Sequence, residues 1–143
     1  MAVLRNRELE WASITVPNTT YEPVYTVNVY LDEETAEDFR TRGFSVKEND
    51  KGPFVVVKRK VNGPNGMTRP APKLFDKFKN EIDVSVGNGS IGNVQYKEWE
   101  TTRQGKVYKG LDLQAVQVID LISYNQAGDE FDVEESLSEE DEL

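Results

Sequence analysis

Between Val46 and Gly110 the sequence carries 13 lysines and arginines against seven acids, a local excess of +6 inside a chain whose formal net charge is -9. These bases are interleaved with aromatic side chains. Alternation along a strand over 54–61 turns Val55, Val57 and Val61 toward a core and leaves Phe54, Val56, Lys58 and Lys60 outside, with Arg59 in the inward phase. Along a strand over 91–100 it sends Val94 and Tyr96 one way and Gln95, Lys97 and Trp99 the other. Lysines beside aromatics are suited to single-stranded nucleic acid, since every base has a π-face to stack and every linkage a charge to meet. The candidate contact residues are Phe54, Lys58, Lys60, Arg69, Lys73, Lys77, Lys79, Lys97, Trp99, Arg103, Lys106, Tyr108 and Lys109. The competing reading makes Tyr96, Trp99 and Tyr108 core aromatics and the lysines a solvated face.

Other chemistries find less support. The chain has no Cys and no His, which excludes thiol nucleophiles, disulfides, zinc sites of the usual ligand types and triads with an imidazole base. Gly87-Asn88-Gly89-Ser90-Ile91-Gly92 spells a dinucleotide fingerprint, but that motif needs a helix to start at the glycines, and here Asn93 to Trp99 continues as a strand. A tight turn is the better reading. Asp76, Glu81 and Asp83 are carboxylates of the type that holds Mg²⁺, yet no base or nucleophile is spaced to work with them. The expectation is a binding protein, not an enzyme, with no cofactor and no metal.

The net charge sits at one end. Residues 129–143 hold nine acids and no base, leaving 17 acids and 17 bases in residues 1–128. Such a segment has too few apolar residues to offset the entropy of ordering, so the sequence predicts a disordered acidic tail. Phe131, Val133, Leu137 and Leu143 among those acids resemble a short motif that docks on a basic, partly apolar pocket of a partner. A tail of this sign also competes with nucleic acid for the protein's own basic face. The rival idea of an acidic interaction module or DNA mimic needs acids spread over the folded body, and a metal-dependent nuclease needs a carboxylate cluster.

At 143 residues the chain has the length of one domain, placed at 1–128 and followed by the tail at 129–143. No apolar run approaches a membrane span and the first residues lack a signal peptide's apolar stretch, which predicts a soluble, cytoplasmic protein without a membrane partner. Trp11 to Val16 reads as a weak strand and Tyr25 to Leu31 as a clear one. Asp32 to Gly43 has a helix's punctuation, with acids first, Arg40 and Arg42 last and a glycine stop. Phe44–Lys47 and Phe54–Val61 read as a hairpin, and residues 62–73, with three prolines and two glycines, as a long loop. Leu74 to Asp83 fits either helix or strand. Ile91–Glu100 and Lys106 to about Tyr124 form a hairpin across a five-residue connector, with a phase break near Val116 that marks a bulge or a switch to helix. Five or so strands and one short helix predict a mainly β fold, a small closed or partly closed barrel.

Val86-Gly87-Asn88-Gly89-Ser90-Ile91-Gly92-Asn93-Val94, followed by Lys109-Gly110-Leu111-Asp112-Leu113-Gln114-Ala115-Val116-Gln117-Val118-Ile119, resembles the corresponding region of single-stranded-DNA-binding proteins of tailed bacteriophages. The resemblance covers residues 70–143 well and residues 1–69 in outline. It implies an OB-fold, sequence-tolerant binding of single-stranded DNA in phage replication and recombination in the host cytoplasm, and a tail that contacts replication or recombination proteins, with an oligomer compatible. One departure is that this tail ends in Leu143 where tails of the family often end in an aromatic.

Overall fold

Tyr25, Val27 and Val29 are buried while Val24, Thr26 and Asn28 between them are not, so the clearest alternation in the sequence makes strand β2 (Val24–Tyr30). In the computed structural model, which describes residues 2–122, this strand lies in a sheet with β1 (Ala2–Asn18), β3 (Lys47–Asn49), β4 (Gly52–Lys60), β5 (Lys73–Phe75), β6 (Ser90–Arg103) and β7 (Lys106–Asp120). The boundary placed at 128/129 and the tail residues Phe131, Val133, Leu137 and Leu143 lie outside the described residues. Going round the sheet, β4 pairs β2, β2 pairs β1, β1 pairs β6 and β6 pairs β7, all antiparallel, and the circle closes with a parallel contact between β4 and β7. This is the strand order of an OB barrel, with β1, β2, β4, β6 and β7 as its five strands. Leu9, Val27, Val29, Val55, Val57, Val94, Leu113 and Val116 fill the inside.

Closure rests on the one pair Lys58 and Asp112. A side-chain pin reinforces it. The Arg59 guanidinium donates to Asp112 at 2.9 Å and to the Pro70 carbonyl at 3.1 Å, which explains a base in the inward phase and ties the 62–73 loop to the seam. Helix α1 (Glu33–Thr41) joins β2 to β3 and buries Ala36 and Phe39. Phe39 stands edge-on to Phe44, with centroids 5.6 Å apart. Among the described residues no helix is long and apolar enough to cross a membrane.

Several sequence readings change. The first strand runs from Ala2, not Trp11, and its alternation is hidden by register shifts between Leu4 and Arg7 and between Glu10 and Ser13. Asn6 and Trp11 take positive φ there, and the Asn93 and Asn88 side chains accept their N–H groups. Phe44 turns into the core, and the strand expected over Phe44–Lys47 begins only at Lys47. Leu74 to Asp83 is no helix: β5 ends at Phe75, and the Asp76 carboxylate accepts the N–H groups of Phe78 and Asn80 to hold a turn. The β6–β7 connector is the two residues Gln104 and Gly105, both at positive φ as a type I′ turn requires, so β6 runs on to Arg103, past the expected Glu100, while β7 starts at Lys106 as expected and ends at Asp120, short of Tyr124. The phase break near Val116 is a bulge opposite Gln95 and Tyr96. Gly87 to Gly92 is a turn entering β6, with Gly89 at φ 94.

Candidate nucleic-acid interface

Past the barrel, β6 and β7 continue as a two-stranded arm. Trp99 pairs Gly110 and Thr101 pairs Tyr108, which puts Trp99 and Tyr108 on one face as diagonal neighbours. A Cβ on Gly110 would lie 2.3 Å from Cζ2 of Trp99 and 2.7 Å from its Nε1, so the indole rests on the bare backbone of β7. Trp99 remains 44% exposed and Tyr108 43%, with the Lys106 ammonium 5.4 Å from the Tyr108 ring centre. Facing them across a cleft of about 270 Å³ are Phe44 and Lys47 from the segment after α1, and Val56 and Lys58 from the outer face of β4. Stacking surface lines one wall and positive charge the other.

The arm is fastened to the end of α1. Lys109 Nζ donates to the Arg42 carbonyl at 2.5 Å, lies 3.7 Å from a Glu100 oxygen and sits over the Phe44 ring. Arg42 in turn donates to Glu98 at 2.7 Å, an interaction that raises its pKa further. Lys109 therefore lines the cleft as part of its wall. The outer face of β2 and β4 continues the surface through the pairs Thr26–Lys58, Asn28–Val56 and Tyr30–Phe54. At its far edge the Tyr30 hydroxyl donates to Glu10, which holds that carboxyl below its ordinary pKa, and Lys51 pairs with both Glu8 and Glu10. Glu8 and Glu10 thus share the one Lys51 charge.

The candidate contact residues fall into separate groups. Lys58, Trp99, Tyr108 and Lys109 line the cleft, and Arg103 and Lys106 stand at the tip of the arm. Lys97 shares the Trp99 phase but lies opposite Asp112, outside the cleft lining. Phe54 and Lys60 lie on the outer face of β4, Phe54 against Tyr30 at 5.6 Å and Lys60 near Glu22 at 3.8 Å. Arg69 donates to the carbonyls of Lys60 and Asn62 and organises the loop. Lys73, Lys77 and Lys79 sit on another surface, around β5 and the Asp76 turn. Of the aromatics that the competing reading placed in the core, only Tyr96 is buried. Sequence reasoning missed Phe44, Lys47 and Gly110, and it also missed Tyr21, 90% exposed in the loop between β1 and β2.

No family model and no curated protein matches the sequence. Solved structures do match the fold. A single-stranded DNA binding protein encoded by bacteriophage T7 superposes with a TM-score of 0.58 at 14% identity, over 92% of this chain and 94% of that one. The single-stranded DNA-binding protein of bacteriophage Enc34 gives 0.56 at 11% identity, over 91% and 86%. Its complex with single-stranded DNA gives 0.55 at 10% identity, over 82% and 85%. The barrel of this chain is therefore the fold of phage single-stranded-DNA-binding proteins.

Proposed function

We propose that this chain binds single-stranded DNA, with little regard to sequence, along the outer face of β2 and β4 and in the cleft under the β6–β7 arm. The observation that carries the reading is the placement of Trp99 on Gly110, with Tyr108 beside it, opposite Lys47 and Lys58. OB barrels bind oligonucleotides on this face, the second and third barrel strands, and on the loop joining the fourth and fifth. The phage proteins that share the fold support the choice of ligand. In the cleft an unstacked base lies on the indole or the phenol ring, and its phosphates meet ammonium groups on the facing wall. Duplex bases are stacked on one another and leave no face for Trp99, so single strands are preferred.

The chain acts by holding the strand and performs no chemistry on it. Its place is in phage replication or recombination in the host cytoplasm, where Phe131, Val133, Leu137 and Leu143 of the acidic tail dock on proteins of that machinery. A gel-shift comparison of single-stranded and duplex DNA over a salt series tests the reading. Log affinity for the single strand falls linearly with log salt, at about -0.7 per neutralised phosphate. Equal affinity for duplex, or no salt dependence, overturns it.

A further inference from the structure

The outer side of β6 runs from the cleft toward the lysines that the fold separates from it. Burial alternates along β6 as far as Tyr96, and pairing with β7 stays in register from there to Arg103, which puts Asn93, Gln95, Lys97 and Trp99 on one side. The bulge opposite Gln95 and Tyr96 adds its extra residue, Gln114, to β7, so the alternation of β6 is unbroken. Lys97 stands across from Asp112, whose carboxylate is already taken by Arg59 and Gln114. Beyond Lys97 the same side of the sheet carries a cross-strand row of Val3, Gln95, Ala115 and Lys73, then one of Asn93, Gln117 and Phe75. A groove of about 200 Å³ runs over these residues, and its lining includes Arg5 and Lys79 and no acid. The Asp76 turn sets Lys77, Phe78 and Lys79 beside it, with the Lys77 carbonyl accepting from Gln117 at 3.4 Å. The Asp76 carboxylate faces into that turn, and the exposed Glu81, across from Phe75, marks the outer edge of the surface.

Phe78 is 75% exposed, with the Lys77 ammonium 5.4 Å from its ring centre. Among the described residues, Arg5, Lys73, Lys77, Lys79 and Lys97 form no ion pair with an acid. A free ring flanked by such cations repeats the chemistry of the cleft, a π-face for a base and ammonium groups for phosphates. The amides of Asn93, Gln95 and Gln117 between the two sites both donate and accept, so they suit sugars, phosphates and bases of any sequence. An acidic peptide would also meet the cations, but continuity favours nucleic acid: Trp99 and Lys97 lie on the same side of the same strand as the groove floor. We infer that a single strand leaving the cleft over Trp99 continues along the outer side of β6, past Lys97, to a second stacking site at Phe78, with Lys77 and Lys79 on its phosphates. This rests on the cleft binding single-stranded DNA, and it carries the strand from the β2–β4 side of the barrel round to the β1–β6–β7–β5 side.

The test compares oligothymidylates of about 4 and about 16 nucleotides, the two ends of what one OB barrel covers, each in excess over the full chain so that a strand carries one molecule. Lys77→Ala with Lys79→Ala should leave affinity and salt slope unchanged on the short oligomer and lower the slope on the long one by about 1.4, two phosphates at about 0.7 each. Phe78→Ala should weaken binding of the long oligomer alone, by about tenfold, the loss of one stacked base. In the parent, 5-iodouracil placed at either end of the long oligomer in turn should photocrosslink to Phe78 from one of them, whereas in the short oligomer it reaches Trp99 or Tyr108. Long and short oligomers that respond alike to the variants, or crosslinks confined to the cleft, overturn the inference, and a face reserved for an acidic protein gives that result. A short oligomer that fails to bind at all is the failure of the cleft reading, and the inference falls with it. If the double lysine variant melts early, Lys97→Ala takes its place: a slope lowered by about 0.7 on the long oligomer alone is expected, and an unchanged slope overturns the inference.

Discussion

A methyl group on Gly110 would meet the Trp99 indole at 2.3 Å, far inside van der Waals contact, so the platform of the cleft depends on a side chain that is not there. Gly110→Ala is expected to lift the ring off β7 and weaken single-stranded DNA binding about as much as Trp99→Ala does, ~1 to 3 kcal/mol, with the fold intact. Tryptophan fluorescence checks it: quenching by DNA shrinks in Gly110→Ala and is reduced in Trp99→Ala to what Trp11 contributes. Normal binding by folded Trp99→Ala removes the residue from the site. Among the lysines, Lys58→Ala should lower the salt slope by about 0.7, the loss of one phosphate contact, while Lys79→Ala leaves it unchanged on an oligonucleotide short enough to fill only the cleft. Alternation was enough to put Lys58 and Trp99 on outward faces, because side-chain period is all their placement requires. Gly110 was out of reach, because its role is set by cross-strand register. Reading a five-residue connector in place of the turn at Gln104 and Gly105 left the partner of Trp99 undefined.

Elements with undisturbed periodicity were readable from the sequence, and those shaped by local side-chain hydrogen bonds were not. α1, β2 and β4 came out nearly as expected, whereas β1 is bent at two points that distant asparagines stabilise. Phe44 illustrates the difficulty. It looks like the start of a strand, but Phe39 and Tyr96 draw the aromatic cluster inward and Phe44 becomes the cleft floor. Phe39→Ala should therefore cost about 3 to 5 kcal/mol of stability, measured by denaturant unfolding, and weaken DNA binding by loosening the wall to which Lys109 and Arg42 fasten the arm. The Asp76 turn makes a prediction in pH. Hydrogen bonds from Asn80, then from Phe78, lower the Asp76 pKa from the ordinary 3.8. A depressed folded pKa means that the carboxylate stabilises the fold fully above the unfolded value and loses that contribution as pH falls through the folded one. Asp76→Ala should melt earlier than the parent at pH 7, and the two melting curves should converge as the solution is acidified below pH 3.8. A gap that persists or widens in acid means the carboxylate's charge is not what holds the turn.

At the scale of the whole molecule, the formal net charge of -9 equals the nine acids of residues 129–143. The part before residue 129 has 17 acids and 17 bases, and near the cleft and the outer face of β2 and β4 Glu8 and Glu10 pair with Lys51, Glu98 with Arg42 and Glu100 with Lys109. This balance was legible in the sequence. The split of the bases between two faces was not, since it follows from barrel closure and the Asp76 turn. Truncation after Gly128 tests how the tail's charge acts. Removing it brings the net charge to zero by the same count, and melting should stay close to unchanged, because few apolar side chains leave with it. Affinity for single-stranded DNA should rise, and the salt dependence of the rise tells where the tail resides. The tail's charge acts on the cleft through its field, which ions screen over about 10 Å at 0.1 M salt. The gain should therefore be large at about 0.01 M, where the screening length is near 30 Å, and absent above about 0.15 M. A tail lying in the cleft would exclude the strand by contact, and truncation would then raise affinity at physiological salt as well. A truncated chain that melts early or binds DNA more weakly than the parent would make residues 129–143 part of the folded domain, and the detachable-arm picture would fail with it.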